Sequence, residues 1–265
     1  MTKPMVIFFD IDGTLLPEGR TEVPADALAA IHTAQARGHL CLINTGRGLG
    51  HIEPYLRSLG LDGIVSGCGT MAELHGEVFW QHPALDLDAG RQVIENARAC
   101  GLTIIYEGYD ALAYDIFANP PTGQEAETYA FAEGRGRNLV LLGERDSFPI
   151  LKFLIDKSRG GDLVRFRAMT PDFNFVCFND RWEECTPHGY DKGRALIRVM
   201  EHLGLPLEQS IAVGDNTNDL PMLNVCPNSV AMGNGSATEH PVSFVTRRCN
   251  EGGIAHMLRH FGLCD

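Results

Sequence analysis

Five apolar residues, Met5-Val6-Ile7-Phe8-Phe9, run straight into Asp10-Ile11-Asp12-Gly13-Thr14-Leu15-Leu16. A continuous apolar run rich in β-branched and aromatic residues reads as a strand buried on both faces. Strands of this kind are common in parallel sheets covered by helices. Ending this one in two acids is costly. Asp10 and Asp12 are two apart, so an extended backbone points both carboxylates the same way. At about 4–5 Å and an effective dielectric of about 20 they repel by roughly 3–4 kcal/mol. A cation, or a proton on one of them, has to relieve that repulsion. Gly13 and Thr14 permit a turn whose N–H groups converge on one point. The stretch therefore suits a divalent metal beside an anion, against the plainer reading of a solvated Asp-Gly turn.

The same rhythm recurs. Val23-Pro24 opens a helical pattern that ends at Arg37-Gly38, with proline in the first turn and glycine past the last. His39 to Asn44 is a second apolar strand ending in Asn44-Thr45-Gly46-Arg47. Helical spacing over 50–59 leads to a third strand at Gly63-Ile64-Val65, and 71–81 reads as a hairpin turning at His75-Gly76. The order βαβαβ implies a parallel sheet with right-handed crossovers, in which ligands gather at the carboxyl ends of strands. Asp10, Asp12 and Thr45 all lie there.

From 83 to 187 the rhythm changes. A helix is expected over 86–100 and another over 124–133. Strands are expected at 103–106, 112–116, 138–142, 150–155, 163–169, 173–178 and 182–185, several of them alternating polar and apolar residues as in a sheet covered on one face. The α/β pattern returns with a helix over 191–203, an apolar strand at 210–213 ending in Gly214-Asp215, a helix over 220–225, a strand at 229–232 and a last helix over 252–261. The expected architecture is a Rossmann-like parallel-sheet core, 1–82 with 188–265, carrying an inserted α+β cap over 83–187.

The chain has 265 residues, 44% of them hydrophobic, and a formal net charge of −12. That balance argues against a basic nucleic-acid surface. No apolar stretch approaches a membrane span, and Lys3 is not followed by the apolar core of a signal peptide. Eight scattered cysteines without a Cys-x-x-Cys pair suit a reducing compartment, so a cytoplasmic protein without nucleic-acid or membrane partners is expected.

Four clusters carry chemistry: Asp10-Ile11-Asp12-Gly13-Thr14, Thr45-Gly46-Arg47, Asp191-Lys192-Gly193, and Gly214-Asp215-Asn216-Thr217-Asn218-Asp219. Together they resemble the haloacid dehalogenase-like superfamily of phosphohydrolases, most closely its Cof-type branch, whose cap lies between the second and third motifs. The resemblance covers nearly the whole chain. It implies that Asp10 is a nucleophile forming an aspartyl-phosphate, and that Asp12 protonates the leaving group and then activates water. It implies a Mg²⁺ site from Asp10, Asp215 and Asp12 through its backbone carbonyl, with Asp219 behind it. Thr45, Gly46, Lys192 and Asn218 are the implied phosphate contacts. The expected substrate is a small phosphorylated metabolite such as a sugar phosphate, and the expected assembly a monomer or small homo-oligomer. A phosphomutase or a catalytically silent metabolite-binding relative are the alternatives. Taken singly, Arg47 is as readily a structural ion pair, Asn216 and Thr217 are helix caps, and Asn234 is a turn residue.

Overall fold

The computed structural model describes residues 3–118, 138–177 and 180–264. In chain order the strands are β1 Val6–Phe9, β2 Leu40–Asn44, β3 Gly63–Ser66, β4 Met71–Leu74, β5 Glu77–Gln81, β6 Ile104–Glu107 and β7 Leu112–Asp115. They continue as β8 Leu139–Leu142, β9 Lys152–Asp156, β10 Phe173–Cys177, β11 Trp182–Pro187, β12 Ser210–Gly214, β13 Asn228–Ala231 and β14 Phe244–Val245. Among the described residues they form two sheets, ordered β14-β13-β12-β1-β2-β3-β4-β5 and β10-β11-β9-β6-β7-β8. The chain divides into two compact units.

The first unit holds the described residues up to Gly46, then Ser58–Gln81, and those from Tyr190 on. Its sheet is parallel from β14 to β3, and the hairpin of β4 and β5 adds two antiparallel strands at one edge. β1 is fully buried, as its unbroken apolar run requires. It pairs with β2 on one side and β12 on the other, so the chain leaves β1 in one direction and returns much later in the other. That reversal opens a crevice at the carboxyl ends of β1 and β12, where open α/β sheets bind ligands. The helix Lys192–Leu203 turns Ala195, Leu196, Val199 and Met200 inward against Phe8, Leu42 and Ala212. Asp191 starts it by accepting a hydrogen bond from the Arg194 N–H, and Gly204 ends it in the left-handed region.

The second unit holds Arg47–Arg57 and the described residues of 82–189. Its strands pair antiparallel except β7 with β8. Helix Leu87–Ala99 covers one face of the sheet, burying Val93, Ile94 and Ala97 with Tyr106 and Phe153.

Several local expectations change. Residues Leu163–Met169 form a helix and not a strand. Asp162 caps it by accepting from the Arg165 N–H, and Leu163 and Phe166, three apart, share its inner face while Val164 is exposed. The alternation that suggested a strand is incidental to one buried aromatic. Residues 50–59 yield only the 3₁₀ turn Leu49–His51 and the short helix Pro54–Arg57, because Pro54 offers no N–H to continue a ladder. The segment 47–57, expected in the core, groups with the second unit: the Gly48 N–H donates to Glu107 Oε2 (2.7 Å), which also meets His51 Nδ1 (3.1 Å). Glu107 is pulled down to about 2: burial opposes its charge, but Lys152 and then His51 outweigh it. The helix expected at 124–133 lies outside the described residues.

Candidate active site

β1 hands directly to Asp10, whose N–H continues the ladder to the Val213 carbonyl of β12 (3.0 Å). β12 ends one residue before Asp215. Adjacent strands therefore deliver Asp10 and Asp215 to the same spot. One oxygen each of Asp10, Asp215 and Asp219 all lie within 4.8 Å of one another, and all three residues are buried. Close approach is built into the backbone. Gly13 sits at φ +79°, and a Cβ there would come within 2.2 Å of Asp215 Oδ2. Thr14 Oγ1 donates to Asp215 Oδ1 at 3.4 Å.

Lys192 enters from the first turn of its helix. Its Nζ donates to Asp10 Oδ1 (2.6 Å) and Asp219 Oδ1 (2.5 Å), with the side chain wholly out of water. Asn44, at the end of β2, donates from Nδ2 to the Lys192 carbonyl (3.0 Å) and so fixes the start of that helix. Burial alone would discharge Lys192, but Asp10 and then Asp219 outweigh it and raise its pKa well above the ordinary lysine value. The acids respond in the opposite sense. Asp10 is raised well above the usual carboxylate range, first by burial and then by Asp219, against the lowering pull of Lys192. Asp215 is pushed up to about 7, again by burial and then Asp219.

Asp219 differs from the other two. Its Oδ2 accepts from the Asp215 N–H (2.8 Å) and the Asn216 N–H (3.0 Å), while Oδ1 accepts from Lys192. Both oxygens are engaged in holding the site together, which suits a supporting place and leaves Asp10 and Asp215 as the acids better able to face an ion. Ionising all three carboxylates against one ammonium would leave two negative charges, which a hard divalent cation with oxygen ligands would balance. The donor set thus fits Mg²⁺.

The other expected residues fall as follows. Asp12 is exposed, and its carboxylate lies outside the buried trio, although its charge still raises the pKa of Asp10 and Asp215. Thr45 is buried, its N–H donating to the Val65 carbonyl (2.9 Å) and its carbonyl accepting from the Cys68 N–H (3.0 Å), with Gly46 buried beside it. Asn218 is half-buried, and among the described residues no hydrogen bond joins it to the acids. Arg47 pairs with Glu53 (2.6 Å). Asn216 is a cap: its Oδ1 accepts from the Thr217 N–H, and Asp219 reciprocates.

Sequence reading gave Asn44 no role beyond the polar end of a strand and Asn234 none beyond a turn. Asn234 does more than occupy a turn, since its amide bonds the Gly13 carbonyl (2.8 Å) and the Cys249 N–H (2.9 Å). The available signal was its setting, Gly233-Asn234-Gly235 directly after a strand on the acid side of the sheet.

A family model described as haloacid dehalogenase-like hydrolase matches residues 7–258. The putative phosphatase YkrA of Bacillus subtilis (strain 168) is 26% identical over 259 residues, covering 97% of this chain and 98% of that protein. From the same organism, 5-amino-6-(5-phospho-D-ribitylamino)uracil phosphatase YitU is 26% identical over 277 residues, covering 98% of each. The solved structure of a HAD subclass IIB sugar phosphatase superposes with a TM-score of 0.79 at 22% identity, covering 98% of this chain and 99% of the other, a likeness of fold. A match that begins inside β1 and runs into the last helix takes in every cluster assembled above, and the chain belongs to the haloacid dehalogenase-like hydrolases, in their Cof-type branch.

Proposed function

We propose that this protein is a Mg²⁺-dependent phosphatase that hydrolyses a small phosphorylated metabolite through an aspartyl-phosphate on Asp10. The observation that carries the reading is the tethering of Asp10 by a buried Lys192, within 4.8 Å of Asp215, at the point where the sheet reverses direction. Structural acids do not need that expense of buried charge, whereas a phosphoryl-transfer site does.

Lys192 holds Asp10 Oδ1, which leaves Oδ2 to attack phosphorus. As the new O–P bond forms, the ester O–P bond breaks and the leaving alkoxide takes a proton from Asp12. Exposure suits Asp12 to this role, because it must meet substrate and then water. In the second half, Asp12 takes the proton of a water that attacks the aspartyl-phosphate, freeing inorganic phosphate and restoring Asp10. Thr45 and Gly46 donate to the phosphate oxygens, Lys192 offsets their charge, and Asn218 contacts the same group. Asp10, Asp215 and the Asp12 carbonyl would hold Mg²⁺, which supplies positive charge against the incoming anion. Asp219 stays behind them, orienting Lys192 and the Asp215 loop.

Support for the substrate class comes from the relatives: YitU is named for a phosphorylated ribityl compound, and the sugar phosphatase shares the fold. The second unit, Arg47–Arg57 with the described residues of 82–189, is the part of the chain proposed to select the substrate. The test is a phosphate-release screen over phosphorylated metabolites with Mg²⁺ and with chelator. Release that needs Mg²⁺ is expected. Phosphate moved to a second hydroxyl without release would make the protein a mutase. Absence of turnover on any ester, with metabolite binding retained, would refute the enzymatic reading.

A further inference from the structure

We propose that Asn234 is a positioning residue that aligns the loop after β1 with the loop after β12, and so sets the geometry of the proposed cation site. The inference rests on the functional reading above and adds a residue to it. The segment 233–237 follows β13 and reaches both acid-bearing loops. Asn234 Nδ2 donates to the Gly13 carbonyl (2.8 Å), which is one peptide beyond the Asp12 carbonyl. The Ala237 N–H donates to the Asp215 carbonyl (2.9 Å), and Ser236 Oγ donates to Asn216 Oδ1 (3.1 Å). A Cβ on Gly235 would fall 1.9 Å from the Asp215 carbonyl oxygen, so this segment packs directly on the β12 loop. One short segment thereby clasps both sides of the crevice.

The amide is fixed in one orientation by its partners. The Gly13 carbonyl can only accept and the Cys249 N–H can only donate (2.9 Å). Gly13 needs such an anchor. It lies in the left-handed region against Asp215, and neither feature by itself pins its carbonyl. Groups that orient metal-bearing loops typically affect metal affinity by about 10–100-fold when removed.

The test compares Asn234→Ala, Asn234→Asp and a distant control, Asn228→Ala, in the full chain. Asn228 Nδ2 donates to the Glu208 carbonyl (3.0 Å) and the Ser210 carbonyl (2.8 Å) at the opposite end of β12, so its loss matches the hydrogen bonds removed but not their place. The readout is the Mg²⁺ concentration at half-maximal thermal stabilisation, with phosphate release measured alongside. Asn234→Ala is expected to raise that midpoint about tenfold, and Asn228→Ala to lower Tm without moving it. Asn234→Asp keeps the acceptor for Cys249 but sets an oxygen against the Gly13 carbonyl. By charge alone it would tighten Mg²⁺ binding, whereas misalignment weakens it. A parent that responds to Mg²⁺ while Asn234→Asp binds as tightly or more tightly overturns this inference alone. A parent with no Mg²⁺ response overturns the functional reading and this inference together.

Discussion

Mg²⁺ binding should depend on pH in a way the acid cluster dictates. With no cation bound, Asp215 is pushed up to about 7 and Asp10 well above its ordinary value. An ion entering the trio must displace those protons. For Asp215 alone the apparent dissociation constant rises by a factor of 1 + 10^(7 − pH), which is about 1.1 at pH 8 and about 11 at pH 6. That tenfold change is roughly 1.4 kcal/mol, and the proton on Asp10 steepens it because the two acids titrate as a coupled set. The stability of the metal-free protein follows the same sign. A carboxyl whose folded pKa is raised costs nothing below its unfolded value near pH 4, and costs progressively more until about pH 7, where it is ionised in both states. Mg²⁺ should therefore stabilise the fold far more at pH 8 than at pH 5.5. Calorimetric titration of Mg²⁺ at pH 6, 7 and 8, in buffers of different ionisation enthalpy, reads affinity and proton release together. Release of at least about one proton at pH 6, with the share from Asp215 falling toward zero by pH 8.5, is expected. Equal affinity at pH 6 and pH 8 with no proton released would refute the electrostatic account of the site.

Other perturbations separate the roles. Asp10→Asn should lower phosphate release by more than about a thousandfold with the circular dichroism spectrum unchanged; turnover at the parent rate would remove Asp10 as nucleophile. Asp12→Ala should cut turnover while leaving the Mg²⁺ midpoint within about twofold, since only its carbonyl is assigned to the ion; loss of Mg²⁺ binding would put its carboxylate in the site instead. Lys192→Met strands three buried acids without their cation and should cost about 3–5 kcal/mol in urea unfolding without Mg²⁺, a deficit that Asp219→Asn partly restores. Gly13→Ala combines a left-handed backbone with a Cβ 2.2 Å from Asp215 Oδ2, and should weaken Mg²⁺ binding by at least about tenfold in the same thermal assay.

The α/β core was legible because its strands are buried on both faces and end in polar turns, a pattern that survives without neighbours in view. β1 and β12 each announce an acid at the strand end, so the sequence alone suggested that Asp10 and Asp215 meet. The second unit was less legible. Leu163–Met169 mixes polar and apolar residues in a way that fits either period, and only the Asp162 cap and the buried Phe166 decide for a helix. The two-residue strand β14 is too short to carry a pattern. Within the candidate site, the strand end points to Asp10, and Lys192 enters only with the other three clusters and the resemblance; none of these shows the bonds that hold them. Asn44 and Asn234 act across 148 and 221 positions of sequence, and an amide reaching a distant carbonyl leaves no local periodicity to read. The grouping of 47–57 with the second unit depends likewise on Glu107, which sequence reading left just past the strand expected at 103–106.

Whether Asp10 accepts the phosphoryl group can be settled chemically. The protein is mixed with Mg²⁺ and a turned-over phosphomonoester, quenched in acid, reduced with borohydride, digested, and mapped by mass spectrometry. Reduction of the side chain at position 10 to an alcohol, absent without substrate and absent in Asp10→Asn, is the expected result. An unreduced Asp10 in a protein that is visibly releasing phosphate, or a label on another residue, would contradict the account.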